Sequence, residues 1–261
     1  MIIASSAPAR VRQTLVFERL AGSGAQDPYL RSDGRPFSYR KLLARPRTDP
    51  ELYDVANYTD FYRLRAGLTD AGTPPSGVRR YDWASPHQSF SPDAVFNGFK
   101  CNGGKPVALN PLRNDPYLRA LVDGIARGRP APSRRFVLGR SPKTSPGFNG
   151  LPGVAVPVPK VDADGQPVGG VRFPELGSPL GALRPVSLSP SVTTSSAAVC
   201  GNSGGFAPFG SAAVARRYSK ASYLARYRAA ITTLEAGGYL LAADRQAMLR
   251  GAAAAYDAAV S

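Results

Sequence analysis

His87 is the single histidine among 261 residues. Imidazole is the one side chain whose unperturbed pKa lies near neutrality, so His87 is the natural general base or acid of this chain. It follows a strand-like run, Val78 to Trp83, and a Ser85-Pro86 loop that would present it. Asp60 stands just beyond an earlier strand-like run, Leu52 to Tyr58. In open α/β sheets, functional side chains gather beyond the carboxyl ends of strands. A carboxylate there accepts the imidazole N–H, fixes its tautomer and stabilises the imidazolium formed during proton transfer. Bland readings stand beside these. A lone histidine also serves as a packed or surface imidazole, and Asp60 is equally suited to cap a helix. Asp54, Asp70 and Asp82 lie near His87 in sequence as well.

A nucleophile is harder to place. Cys200-Gly201-Asn202-Ser203-Gly204-Gly205 satisfies G-x-S-x-G and is similar to the serine motif of trypsin-like proteases. A nucleophile elbow needs an apolar strand before the serine and a helix after it. Here Ser191 to Ala198 is rich in Ser and Thr, and Phe206-Ala207-Pro208-Phe209 does not open a clean helix. Against the protease motif, Asn202 stands where Asp is usual, and His87 lacks the small-residue and cysteine context of that family. The expectation is a glycine-rich turn, with a trypsin-like protease using Ser203 as an outlying alternative.

Metal and cofactor chemistry find no support in the sequence. Cys101 and Cys200 are the only cysteines, far apart and with one histidine, so no zinc-site spacing exists. They could pair in an oxidising compartment or remain two thiols. Val161-Asp162-Ala163-Asp164-Gly165 suggests a calcium loop, but Phe173 falls at its twelfth position instead of a bidentate Glu, so a hairpin turn is expected. No cofactor is expected.

The net charge is +15, from 33 Lys plus Arg against 18 Asp plus Glu. Such a balance attracts phosphate and anionic surfaces. The basic residues are scattered, in doublets such as Arg79-Arg80, Arg134-Arg135 and Arg216-Arg217, and match no nucleic-acid module. A solvated arginine-rich surface is the reading, with no specific nucleic-acid partner. No run of about 18 apolar residues suggests a membrane span, and Met1 to Ser5 lacks a signal-peptide core. Localisation stays open.

The elements that must position these residues follow in order. With 27 glycines and 25 prolines, much of the chain should be loop and turn. Residues 1–35 form a poorly defined N-terminal segment with one apolar stretch, Thr14 to Leu20, either a strand or a helical turn. Phe61 to Leu68 could start a helix capped by Thr59 or Asp60. A further helix begins at Asn114 or Asp115, with Pro116 in its first turn and Gly128 just past its end. Tyr117, Leu118, Leu121, Val122 and Ile125 would form its core face. Residues 130–190 should be mostly loop with short strands. The C-terminus reads as a helical hairpin over 219–258. Ser219 or Ser222 caps the first helix, Tyr223, Tyr227, Ile231 and Leu234 form its stripe, and Gly237-Gly238 stops it. Met248, Leu249, Ala252 and Tyr256 form the stripe of the second.

From about Gly34 onward the order of segments resembles the C-terminal half of the bacterial alpha/beta hydrolase domain family. The markers are Pro36-Phe37-Ser38-Tyr39, Asp60-Phe61-Tyr62, Val78-Arg79-Arg80-Tyr81 leading to His87, and Asn110-Pro111-Leu112. They continue through Gly128 to Ser133, Val161 to Gly165, Gly170 to Glu175, Phe206 to Phe209, Tyr218 to Tyr223 and Leu240 to Asp244. The resemblance implies an α/β fold: a partial α/β-hydrolase-like sheet, long Pro/Gly-rich loops and a C-terminal helical hairpin. Residues 36–261 would form the domain, with 130–215 a loop-rich insertion.

The resemblance also implies a serine hydrolase acting on carboxylic esters, with His87 as the triad histidine and Asp60 as its acid. Three positions depart from the pattern: Asp60 stands in place of Glu, Tyr62 in place of Trp, and Pro86 in place of a polar residue. The family's nucleophile lies in an N-terminal half that this chain does not match. The expected partners are therefore a small-molecule ester, if the chain is active, and a complementing N-terminal half or a second copy of the chain. A histidine and an acid without nucleophile and oxyanion donors should give little hydrolysis alone. A non-catalytic binding or assembly domain derived from an α/β-hydrolase is the alternative. Half a sheet would also leave a bare strand edge, which favours self-association or a partner.

Overall fold

The computed structural model describes residues 2–5, 15–16, 38–45, 48–63, 66–69, 74–86, 110–140, 157–184 and 204–261. Residues from the poorly defined N-terminal segment supply two short strands, β1 (Ile2–Ser5) and β2 (Leu15–Val16). The centre is the pair β3 (Glu51–Asn57) and β4 (Val78–Trp83), which run parallel. The sheet order is β2-β1-β3-β4, with β1 antiparallel to β3. Aromatic and β-branched residues dominate the central strands, as expected. Leu52 to Asn57 are all buried, and so is β4 apart from a half-buried Arg79. Near-continuous burial is the mark of a parallel strand covered on both faces.

Parallel neighbours need a crossover, and here it begins with no loop at all. Helix α1 (Tyr39–Leu42) precedes the pair; α2 (Tyr58–Arg63) starts at the residue after β3, followed by a 3-10 turn over Ala66–Leu68. The helix expected over Phe61 to Leu68 therefore begins three residues earlier and breaks into two pieces. Asp60 lies inside α2, not at its cap.

Beneath the sheet end sits an ionic knot. Arg80 is fully buried, donates from Nε to Asp82 Oδ1 at 2.9 Å and lies 3.5 Å from Asp54 Oδ2 through Nη1. It also donates to the Tyr39 hydroxyl at 3.2 Å and to the Ala66 carbonyl at 3.1 Å. Tyr39 in turn donates to Asp54. Burial pushes the Asp82 carboxyl up from its ordinary value, against the lowering pull of the Arg80 charge. A buried cation is tolerable only when paired and hydrogen-bonded, and Arg80 is both.

On its outer side β4 is not the bare edge that half a sheet would leave. Asp82 N–H donates to Arg134 O at 2.8 Å, Arg134 N–H to Arg80 O at 3.0 Å, and Val171 N–H to Asp82 O at 2.9 Å. Isolated parallel bridges join Tyr81 to Arg134 and Trp83 to Val171. The Tyr81 hydroxyl donates to Ala131 O at 2.6 Å.

α3 (Asp115–Ala126) carries Pro116 in its first turn, and Gly128 follows with φ 67°, the left-handed value a helix stop uses. Its inward face is narrower than the expected stripe. Tyr117, Ala120 and Leu121 are buried, whereas Val122 is 49% exposed. The described part of the stretch 130–190, residues 130–140 and 157–184, is loop with short elements. It holds an antiparallel pair, β5 (Leu138–Arg140) with β6 (Pro157–Pro159), a short helix α4 (Pro174–Gly177), and β7 (Gly181–Arg184), which pairs antiparallel with β8 (Gly205–Pro208). The Asp162 to Gly165 stretch is a turn: Asp162 Oδ1 accepts from Asp164 N at 3.0 Å and from Gln166 N at 2.9 Å.

Helix α5 (Ser211–Arg217) leads into the expected hairpin of α6 (Lys220–Ala236) and α7 (Arg245–Val260). Ser219 and Ser222 cap α6 reciprocally, and Tyr223, Tyr227, Ile231 and Leu234 are buried. On α7, Ala252 and Tyr256 are buried and Met248 and Leu249 pack beside them. One apolar core joins the sheet, α3, α4 and this hairpin. No helix among the described residues is long and apolar enough to cross a membrane.

Candidate active site

The parallel register brings the carboxyl ends of β3 and β4 together, Asn57 opposite Trp83. Just past them the two chains are tied. Tyr58 N–H donates to Ser85 O at 3.1 Å, and Ser85 Oγ donates to Asn57 Oδ1 at 3.0 Å. Asp60 Oδ2 accepts the Asn57 backbone N–H at 2.7 Å and its side-chain amide at 3.3 Å. This is the inward half of a capping arrangement, with Asn57 preceding the helix and Asp60 at its third residue. From a third segment, Asn110 Nδ2 donates to Ala84 O at 3.0 Å, while Asn110 Oδ1 accepts Leu112 N–H at 3.0 Å. Asn57, Thr59, Asp60, Ser85 and Asn110 are all buried.

Of the acids near His87 in sequence, Asp54 and Asp82 are held by the Arg80 knot deeper in the sheet. Both Asp82 oxygens are engaged, Oδ2 by Phe136 N–H at 2.8 Å. Asp70 lies outside the described residues, as do His87, Ser203, Cys101 and Cys200. Pro86, the residue before His87, is buried at the same sheet end as Asp60.

Gly204 reaches this end as well. Gly204 has φ 56°, and a Cβ there would stand 3.1 Å from Thr59 Cγ2 and 3.5 Å from Asn110 Cβ. Glycine fits where the backbone must come this close in a left-handed conformation. The neighbouring β7 end approaches α2 too. Burial pushes the Tyr58 hydroxyl up, and the charge of Arg184 pulls it down. Strand ends, Asn110 and Gly204 thus converge from four parts of the chain.

A family model described as Alpha/beta hydrolase domain matches residues 71–250. The chain belongs to this alpha/beta hydrolase domain family. No curated protein and no solved structure matches it. The hydrolase-domain match includes the β4 strand, His87, α6 and the first six residues of α7, whereas Asp60 lies before it. Mixed α/β architecture, a small open sheet and the terminal hairpin agree with a partial hydrolase-like fold. No group of three or more His, Cys, Asp or Glu suited to a metal occurs among the described residues.

Sequence reasoning missed Asn57, Ser85 and Asn110 as members of this polar cluster. Two signals existed: an Asn where strand meets helix, and an Asn-Pro pair after a long loop. A second grouping, Glu175 with Tyr117 and Tyr227, left no local signal because its members come from three separate segments.

Proposed function

We propose that the chain carries the base and the orienting acid of a carboxylic-ester hydrolase, His87 and Asp60. The observation that carries this reading is the placement of Asp60. It is a buried acid at the carboxyl end of β3, hydrogen-bonded beside the strand end that leads through Pro86 to His87. In the reaction, a serine hydroxyl gives its proton to the imidazole as its oxygen attacks the ester carbonyl. The imidazolium then protonates the leaving alcohol, and water repeats the sequence to release the acid. The Asp60 carboxylate holds the imidazole N–H on the far side throughout. The serine comes from a segment outside residues 36–261, so this stretch alone hydrolyses esters slowly.

The position of Gly204 favours a second reading, in which Ser203 itself is the nucleophile, because a Cβ on the adjacent residue would stand 3.1 Å from Thr59 Cγ2 and 3.5 Å from Asn110 Cβ. A fluorophosphonate probe separates the two. Labelling of a complementing polypeptide, lost with His87→Ala, supports the first reading. Labelling of the chain alone, lost with Ser203→Ala, supports the second. Absence of labelling under both conditions overturns the hydrolase assignment in favour of a non-catalytic binding domain.

A further inference from the structure

Behind the β7–β8 pair lies a half-open cavity of about 590 Å³ that plays no part in the proposed hydrolysis. Its volume falls within the range of small-molecule sites. The walls are mainly apolar: Leu112, Leu176, Leu183, Phe206 and Met248 face it from five segments. One side is the face of α7 bearing Ala247, Gly251 and Ala255, spaced four residues apart so that they share it. A Cβ added at Gly251 would meet nothing within 4 Å, so the space in front of this helix is truly open.

Three polar groups of the lining are unusual: Tyr117, Glu175 and Asp244. Tyr117 is 3% exposed, and its hydroxyl has no hydrogen-bond partner among the described residues. Glu175 accepts the Tyr227 hydroxyl at 2.6 Å through Oε1, while its buried Oε2 has no partner among the described residues. Nearly all buried polar groups in native proteins are satisfied, so orphans gathered in the lining of one cavity call for a ligand atom. Burial pushes the Glu175 carboxyl up from its ordinary value, with the Tyr227 hydrogen bond opposing. The Tyr117 hydroxyl is a donor in search of an acceptor, and a Glu175 carboxyl in its protonated form would offer a second O–H. At the rim Arg119 pairs with Asp244 Oδ1, while the buried Asp244 Oδ2 is a third lining atom with no partner among the described residues.

We propose that this cavity binds a neutral, apolar small molecule carrying a ketone, ester or hydroxyl oxygen. That oxygen meets Glu175 and Tyr117, and the hydrocarbon lies against the leucines and Phe206. An anionic ligand is disfavoured beside a buried acid. The site does not depend on the roles of His87 and Asp60, so its test is binding and not turnover.

The full chain is titrated with 6-propionyl-2-(dimethylamino)naphthalene, a neutral fluorescent ketone. The expected result is saturable one-site binding with blue-shifted emission. Gly251→Phe, which fills the open space, should weaken binding about tenfold or more with an unchanged melting temperature. Glu175→Leu, which removes the hydrogen bond, should weaken it by about tenfold. The corresponding 6-(dimethylamino)-2-naphthoate anion should bind more weakly than the ketone. Should Gly251→Phe disturb folding, Ala255→Leu on the exposed part of the same face replaces it. Non-saturable uptake, unchanged affinity in the blocking variant, or an anion binding as tightly as the ketone would each overturn the proposal.

Discussion

The carboxyl end of the β3–β4 pair and the cavity behind β7–β8 both bury polar groups, and they treat them oppositely. At the sheet end Asn57, Asp60, Ser85 and Asn110 hydrogen-bond one another or nearby backbone. In the cavity Tyr117 and Glu175 each keep an atom without a partner among the described residues. A satisfied network fixes geometry and resists change, while an unsatisfied group keeps a capacity for something else. The first region is built to hold its side chains still. The second is built to receive.

The largest break in this contrast comes from the knot that anchors the sheet end. Arg80→Ala leaves the buried Asp54 and Asp82 without their cation and should destabilise by about 3–5 kcal/mol, measured by urea unfolding. Next, Asp60→Ala strips the acceptor from the Asn57 N–H and should cost about 1–2 kcal/mol in the same assay. Asp60→Asn keeps an acceptor oxygen and should cost less than Asp60→Ala. Yet it should reduce hydrolysis in a complemented enzyme by about two orders of magnitude or more, because it disturbs the imidazole tautomer. Equal losses of activity and stability across both variants would make Asp60 a helix residue only.

A matched tyrosine pair sharpens the comparison. Tyr81→Phe deletes a made hydrogen bond and should cost about 1 kcal/mol, whereas Tyr117→Phe deletes an unmade one and should change stability by about 0.5 kcal/mol or less. The smallest effect is one of slope. Glu175 titrates above its ordinary value of 4.5 in the folded protein, chiefly because it is buried. The folded state therefore binds more protons than the unfolded state above that pH, so this group's contribution is full at lower pH and lost as pH rises through the folded pKa. Glu175→Gln should flatten the decline. Asp82 is shifted the same way and remains in both proteins, so the difference between their pH–stability curves isolates Glu175.

Much of this architecture was legible in the residues. Aromatic and β-branched runs marked β3 and β4, and helical spacing with a serine cap and a double glycine marked the terminal hairpin. What escaped was whatever depended on distant segments meeting. Thr59 and Asp60 both read as caps because each type caps helices. The strand runs into α2 without a loop, however, so the boundary falls to Asn57 and Asp60 moves inside. Val122 fits the period of α3 but lies beyond the arc its neighbours cover, and Ala120 is buried instead. α5 carries no side-chain cap and was not foreseen. The cavity could not be foreseen either, since Tyr117, Glu175 and Tyr227 meet only after α3, α4 and α6 pack.

The stitching of β4 has a consequence for the order in which the chain acquires its structure. The strand's partner on one side, β3, lies a short crossover away, but on the other it waits for Arg134 and Val171. Closing those longer loops costs more chain entropy than pairing β3 with β4 or folding the α6–α7 hairpin. The hairpin and the parallel pair should therefore form early, and the two bridges late. Pulse-labelled hydrogen exchange would see this as late protection of the Asp82 and Val171 amides, which donate across those bridges. The polar sheet end that orients Asp60 is complete at its inner side before its outer side is sealed.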